Sequence, residues 1–362
     1  MRQFPVALLA VSCAFGADFV GNKACEPCHD AIFHSYTRTP MAQSSGKVGT
    51  QDLKERFDRA EFRDDRGAFS YRVSPDYTFE FTQQSSRQPI AGRRALAYFI
   101  GSGAAARTFL LEALGLGDGK FLYESPVTYY RSSASWKASP GFESLDYPNL
   151  ARPIQPGCLL CHASGIQANA GTLNGYTSPP FLENGVACER CHGPGSEHIA
   201  KGTKMVNPAN LVPAARNSIC EQCHLSGEVR VAKTGKEDKA LTPGGLLAED
   251  LTVFIRAGSP SDLRVTSHVE NLAQSACKRA SGDKLWCGTC HDPHTAPEPA
   301  QKAAYFRGKC LSCHQTQDCR ATQEARRASG DSCIACHMPR GPTSDIQHVV
   351  FTDHSIRRKP GG

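Results

Sequence analysis

Seven times along the chain, two cysteines stand three positions apart with a histidine directly after the second. The sets are Cys25, Cys28 and His29; Cys158, Cys161 and His162; Cys188, Cys191 and His192; Cys220, Cys223 and His224; Cys287, Cys290 and His291; Cys310, Cys313 and His314; and Cys333, Cys336 and His337. Two thiols one helical turn apart can add to the two vinyl groups on one edge of a porphyrin, and the adjoining imidazole then lies under the iron as an axial ligand. Cys-x-x-Cys-His is accordingly the attachment signature of c-type haem, and its repetition implies seven covalent haem c groups. A bare Cys-x-x-Cys also serves zinc sites and dithiol redox pairs. Neither needs a histidine after every second cysteine, and this Cys and His content would yield only about 0.03 copies of the full signature by chance.

The histidines set the functional question. Of 13, seven belong to the signatures, leaving His34, His198, His268, His294, His348 and His354. Electron-carrying low-spin haems take a second strong axial ligand, normally His or Met, whereas an open sixth position lets iron bind a substrate. His198, His268, His294, His348 and His354 are the candidate distal ligands. Two axial ligands approach one iron from opposite faces, so His294, three residues after His291, is expected to reach a different haem. His198 follows a Gly-Pro-Gly loop that can swing it away in the same manner. Met205 and Met338 have no supporting pattern.

Composition limits what surrounds these groups. Seven haems in a mature chain drawn from 362 residues leave about 49 residues per cofactor, too few for a conventional core around each, so the porphyrins themselves are expected to be the core. The formal charge of +6 suggests an anionic partner, but fourteen propionates would bring the reduced holoprotein to about −8, and ferric iron would return it to about −1. Nucleic-acid binding therefore gains little support. Residues 1–17 carry one positive charge, a short apolar run and then small residues, the pattern of a secretory signal peptide. Export to the periplasm is the expectation, with a lipid anchor at Cys13 the less favoured alternative. No later stretch is long and apolar enough for a transmembrane span. Besides Cys13, Cys277 and Cys319 remain after the signatures, either as a disulfide or as two unpaired buried thiols.

The elements that must position the anchors fall into five segments: a signal peptide (1–17), a first haem-anchoring segment (18–60), a haem-poor β-rich insert (61–150), a three-haem cluster (151–230), and a linker with a C-terminal three-haem cluster (231–362). The first signature runs into a short helix ending before Pro40, and Asp52 and Glu55 have capping-box spacing. Alternating runs at 69–73 and 77–81, with further candidates at 97–100, 108–111, 120–123 and 127–130, predict strands. Gly101-Ser102-Gly103 lacks the Lys-Ser/Thr of a phosphate loop and reads as a turn. Residues 321–329 predict a solvated helix stopped by Gly330. The expected fold class is mainly α-helix and loop wrapped around a chain of covalent haems, with a small antiparallel β insert.

At Cys188 to His198, Cys-x-x-Cys-His-Gly-Pro-Gly-Ser-Glu-His, the chain resembles the cytochrome c-552/c-554 group of exported multihaem cytochromes. Cys287 to His294 and His348 to His354 are similar to it as well. The resemblance implies that His198, His294, His348 and His354 are distal ligands. It also implies a ligand twelve residues after His29, where related proteins often carry His and this chain has Met41, a substitution that would raise that haem's potential. His34 would then be an ordinary helix residue.

Electron transfer between redox protein partners, or with a quinol-linked membrane complex, is the function these readings favour. The alternative is a multihaem oxidoreductase with one open-site haem acting on a small nitrogen or sulfur oxyanion. Glu189, Arg190, Glu197, Lys201 and Lys204 would be its nearest proton donors and cations, though charged residues beside a haem more often face solvent. The chain has no Cys-x-x-Cys-Lys of the kind nitrite reductases use at their catalytic haem.

Overall fold

The computed structural model describes residues 18–358, apart from 51–52, 54, 56, 58–59, 64–68, 85–87, 116–118, 143–149, 238 and 257–261. The expected signal peptide at residues 1–17, with Cys13, and the expected helix cap Asp52 lie outside the described residues.

Its dominant element is a ten-stranded antiparallel sheet. The strands are β1 (Ser45–Lys47), β2 (Glu61–Arg63), β3 (Phe69–Val73), β4 (Thr78–Gln83), β5 (Ile90–Ile100), β6 (Ala106–Leu114), β7 (Lys120–Tyr130), β8 (Ser135–Ala138), β9 (Ala163–Ala168) and β10 (Gly175–Asn184). The order across the sheet is β2-β3-β4-β5-β6-β7-β10-β9, with β1 on β5 and β8 on β7. Gly101, at φ +92°, makes the turn into β6, where a Cβ would lie 2.6 Å from the Ala106 carbonyl oxygen. The Gly-Ser-Gly segment is thus a hairpin turn, as its sequence predicts.

Side chains alternate across this sheet with a period of two. Phe99, Phe109, Leu111, Val127 and Tyr129 join Phe79 and Trp136 on one face. Tyr98, Leu110 and Leu122 point the other way, where they meet Ile154, Leu159, Tyr176 and Phe181. Leu159 lies inside the second signature, between its two cysteines, and is fully buried. One face of the sheet therefore holds an anchor directly.

The remaining chain is short helices and two small ribbons. The helices are α1 (Glu26–Tyr36), α2 (Pro156–His162), α3 (Glu189–His192), α4 (Ser196–Lys201), α5 (Pro213–His224), α6 (Leu247–Asp250), α7 (His268–Gln274), α8 (Ala276–Ser281), α9 (Cys287–Cys290), α10 (Lys302–Leu311), α11 (Gln323–Ala328) and α12 (Cys333–His337). The ribbons pair β11 (Val229–Ala232) with β12 (Leu251–Phe254), and β13 (Arg340–Pro342) with β14 (Val350–Thr352). Among the described residues, no helix is long and apolar enough to cross a membrane.

The expectation of a mainly helical fold with a small β insert is corrected by this sheet: the chain is 31% helix and 27% strand. The reason is local. Residues 90–95 of β5, Ile-Ala-Gly-Arg-Arg-Ala, are exposed apart from the half-buried Gly92 and give no alternation to read. β9 and β10 lie between two anchors, where the signatures dominate the sequence, yet they extend the sheet beyond the haem-poor interval.

Candidate haem-binding site

Each signature folds as one helical turn. His29, His192, His291 and His314 each donate a backbone N–H to the carbonyl of the first cysteine of their own set, at 2.9–3.0 Å. This i→i+4 bond places both thiols and the imidazole at one helix end. Pro27 and Pro156 start α1 and α2, where a missing N–H is harmless. The Ser332 hydroxyl caps α12 by accepting from the Ala335 N–H.

Histidines distant in sequence meet across these turns. The His29 and His198 ring centroids are 6.3 Å apart with planes 24° from parallel, His192 and His294 are 5.8 Å apart at 15°, and His291 and His354 are 6.2 Å apart at 30°. Two imidazoles bound on opposite sides of one metal through Nε2, at a metal–nitrogen distance of about 2.0 Å each, have centroids about 6 Å apart. His224 and His268 are closer, 4.9 Å, and His268 also meets His354 at 4.6 Å. His294 does reach a different anchor from its sequence neighbour His291.

Hydrogen bonding prepares several of these rings as ligands. Nδ1 of His192 donates to the Val206 carbonyl and Nδ1 of His198 to the Thr203 carbonyl, each at 2.7 Å. His337 Nδ1 donates to the Arg357 carbonyl at 2.7 Å, and His354 Nδ1 to the Thr352 carbonyl at 3.0 Å. A neutral imidazole held this way presents Nε2 as a free lone pair. Nδ1 of His162, His224 and His268 is buried without a partner. Burial, followed by the neighbouring histidines, lowers His268 to about 3 and His291 to about 4, so both rings are neutral, the form that binds iron. The donor set fits c-type haem.

Thiols of different anchors lie near enough to influence one another's titration: Cys25 and Cys188, Cys161 and Cys223, Cys220 and Cys287, and Cys310 and Cys333. The anchors are packed against one another rather than strung out along the chain.

Two charged residues expected toward solvent are buried instead: Glu189 and Arg190, 5% and 8% exposed, in the third signature. Glu189 accepts from the N–H groups of Val20, Gly21 and Gly195 at 2.8–3.1 Å, tying the segment before the first anchor to the third. Arg190 Nη2 donates to the Leu160 carbonyl at 2.8 Å and to the Gln222 side-chain oxygen at 2.7 Å. Close by, Gly185 adopts φ +65°, and a Cβ there would lie 1.9 Å from the Ala42 carbonyl oxygen. The signal for this seam was the unusual polarity of the residues between the cysteines.

Other candidates lie elsewhere. Met41 uses its carbonyl to accept from Val186 N–H, while the ring facing His29 is His198. His34 is exposed and pairs with Asp30 at 3.2 Å. His348 packs on Tyr130 at 5.3 Å, with Nδ1 3.5 Å from Lys137 Nζ. Glu197 and Lys201 form an exposed ion pair at 3.5 Å. Cys277 is a half-buried free thiol and Cys319 an exposed one.

A family model described as cytochrome c554 and c-prime matches residues 130–193, from the end of β7 through the second and third signatures. The multiheme cytochrome MtrA of Shewanella baltica (strain OS185) is 23% identical over 223 residues, which are 56% of this chain and 53% of that protein. The match thus spans about half the length of the relative. Among solved structures, the outer cell wall cytochrome OcwA aligns with a TM-score of 0.59 at 16% identity, covering 94% of this chain and 79% of that one, a likeness of fold. With repeated thiol and imidazole anchors, distant histidines brought face to face and these likenesses, the chain is a multihaem c-type cytochrome that resembles the cytochrome c-552/c-554 group.

Proposed function

We propose that the chain carries seven haem c groups, one at each signature, and passes electrons along them between redox partners outside the cytoplasm. The observation that carries this reading is the facing of His29 with His198, His192 with His294, and His291 with His354, each pair spaced so that it would hold one haem iron between its rings. His268 is assigned to the anchor of His224. His348 and Met41 remain for anchors without a facing ring. Bound haem supplies one-electron iron chemistry; the protein's part is to hold the axial nitrogens, exclude water and set each potential through ligand, burial and charge. The leader at residues 1–17 supports export, where c-type haem is attached in bacteria. Redox proteins or a quinol-linked membrane complex are the partners this chemistry fits.

One observation favours the second reading, an oxidoreductase with an open-site haem acting on a small nitrogen or sulfur oxyanion. Among the described residues, no histidine ring packs against His162, His314 or His337. Three anchors thus compete for one histidine and one methionine. Haem mass together with low-temperature EPR of the oxidised protein decides between the readings. Seven haems, all low-spin, support electron transfer; a high-spin signal near one-seventh of the iron or above favours the open site; absence of haem mass overturns both.

A further inference from the structure

We propose that Arg190 is a positioning residue at a three-way junction of the electron path, and that its buried charge holds the haems of the second, third and fourth signatures at higher reduction potential than the rest. This inference rests on the multihaem reading above.

The geometry is specific. Arg190 lies between the cysteines of the third signature, Leu160 between those of the second, and Gln222 between those of the fourth. One guanidinium nitrogen bonds the Leu160 carbonyl and the Gln222 side chain, so three anchors meet at a single cation. The Cys161 thiol points at the Gln222 backbone carbonyl, 4.0 Å away, in the same junction. Among the described residues no carboxylate pairs with this guanidinium. Its neighbour Glu189 is occupied by three backbone N–H groups, of Val20, Gly21 and Gly195, and Arg190 Nε is buried without any partner.

An isolated buried cation is costly, and both acceptors it has are uncharged. Reduction of a haem iron lowers the charge of that centre by one, so a fixed positive charge in a low-dielectric surround stabilises the reduced form. The exposed Arg230, whose Nη2 bonds the Gln222 carbonyl at 2.7 Å, is a second cation near the junction, screened by solvent. Electrons entering from either end would collect where the three anchors join.

Spectroelectrochemical titration of the holoprotein, with haem content fixed first by mass, tests this. In Arg190→Gln, three of the haems should move to lower potential, each by roughly tenfold in its reduction equilibrium, about 59 mV for a one-electron couple. Arg190→Lys, which keeps the charge, should titrate close to wild type. Gln222→Glu sets a carboxylate against the retained guanidinium and should reproduce the Arg190→Gln shift; it decides the matter if Arg190→Gln does not load fully. Fully loaded Arg190→Gln or Gln222→Glu protein that titrates as wild type overturns the proposal. So does an equal shift of all haems, or a Lys variant displaced as far as the Gln variant. Absence of haem from the wild-type protein would instead remove the multihaem reading itself.

Discussion

His294 lies three residues after His291, yet its ring faces His192, 5.8 Å away and 15° from parallel. The same crossing links His198, six residues after His192, to His29. Both rings thus turn away from the anchor nearest in sequence and face another. Replacing His294 by Met should convert one haem from bis-His to His/Met ligation and raise its potential, the rest staying put. A redox titration in which no single component rises would refute the pairing.

Leu159 is fully buried where the second signature sits on the sheet, against a cluster that includes Leu110, Leu122 and Tyr176. Leu159→Ala should lower stability by about 2–5 kcal/mol through lost burial and the cavity left behind. Chemical denaturation followed by tryptophan fluorescence reports it, since Trp136 belongs to the same sheet. A loss below about 1 kcal/mol would mean that the sheet does not hold this anchor.

Gly185 combines a left-handed backbone with a Cβ direction aimed at the Ala42 carbonyl. Gly185→Ala should destabilise by at least about 1–3 kcal/mol, the range for a strained backbone position, and should loosen the seam between the first and third signatures. Limited proteolysis around residues 41–45 is the accompanying readout. Unchanged stability and cleavage would contradict the close approach.

Much of the site was legible because its chemistry is written in contiguous residues: a thiol, a thiol and an imidazole in five positions leave little else to read. His294 was likewise legible, because steric exclusion on one iron forbids it to serve beside His291. The sheet was not. The charged, unalternating start of β5 and the short β9 and β10 are strands only because neighbours pair with them, a tertiary decision absent from any local window. Arg190 was hidden for a similar reason, since its acceptors lie 30 and 32 residues away.

Glu183 offers a test by pH. Burial, opposed by the Asn22 N–H and reinforced by Glu189, raises its carboxyl above the ordinary carboxylate value. A folded-state value above the unfolded one means stabilisation present below the unfolded value and lost as pH rises through the folded one. Glu183→Gln keeps an oxygen for the Asn22 N–H, bonded at 3.1 Å, but cannot ionise. The variant should therefore melt above wild type at pH 7, with the gap closing toward pH 4. A gap that widens on acidification would reverse the assignment.

The four thiol pairs between anchors bear on how such a chain matures. Cys25 with Cys188, Cys161 with Cys223, Cys220 with Cys287 and Cys310 with Cys333 each join cysteines that belong to different cofactors. A polypeptide that collapsed to this arrangement before receiving its porphyrins would hold the wrong sulfurs together, ready for cross-linking in an oxidising compartment. On the seven-haem reading, thioethers would form while the chain is open and its thiols are reduced, and the anchors would close on one another last.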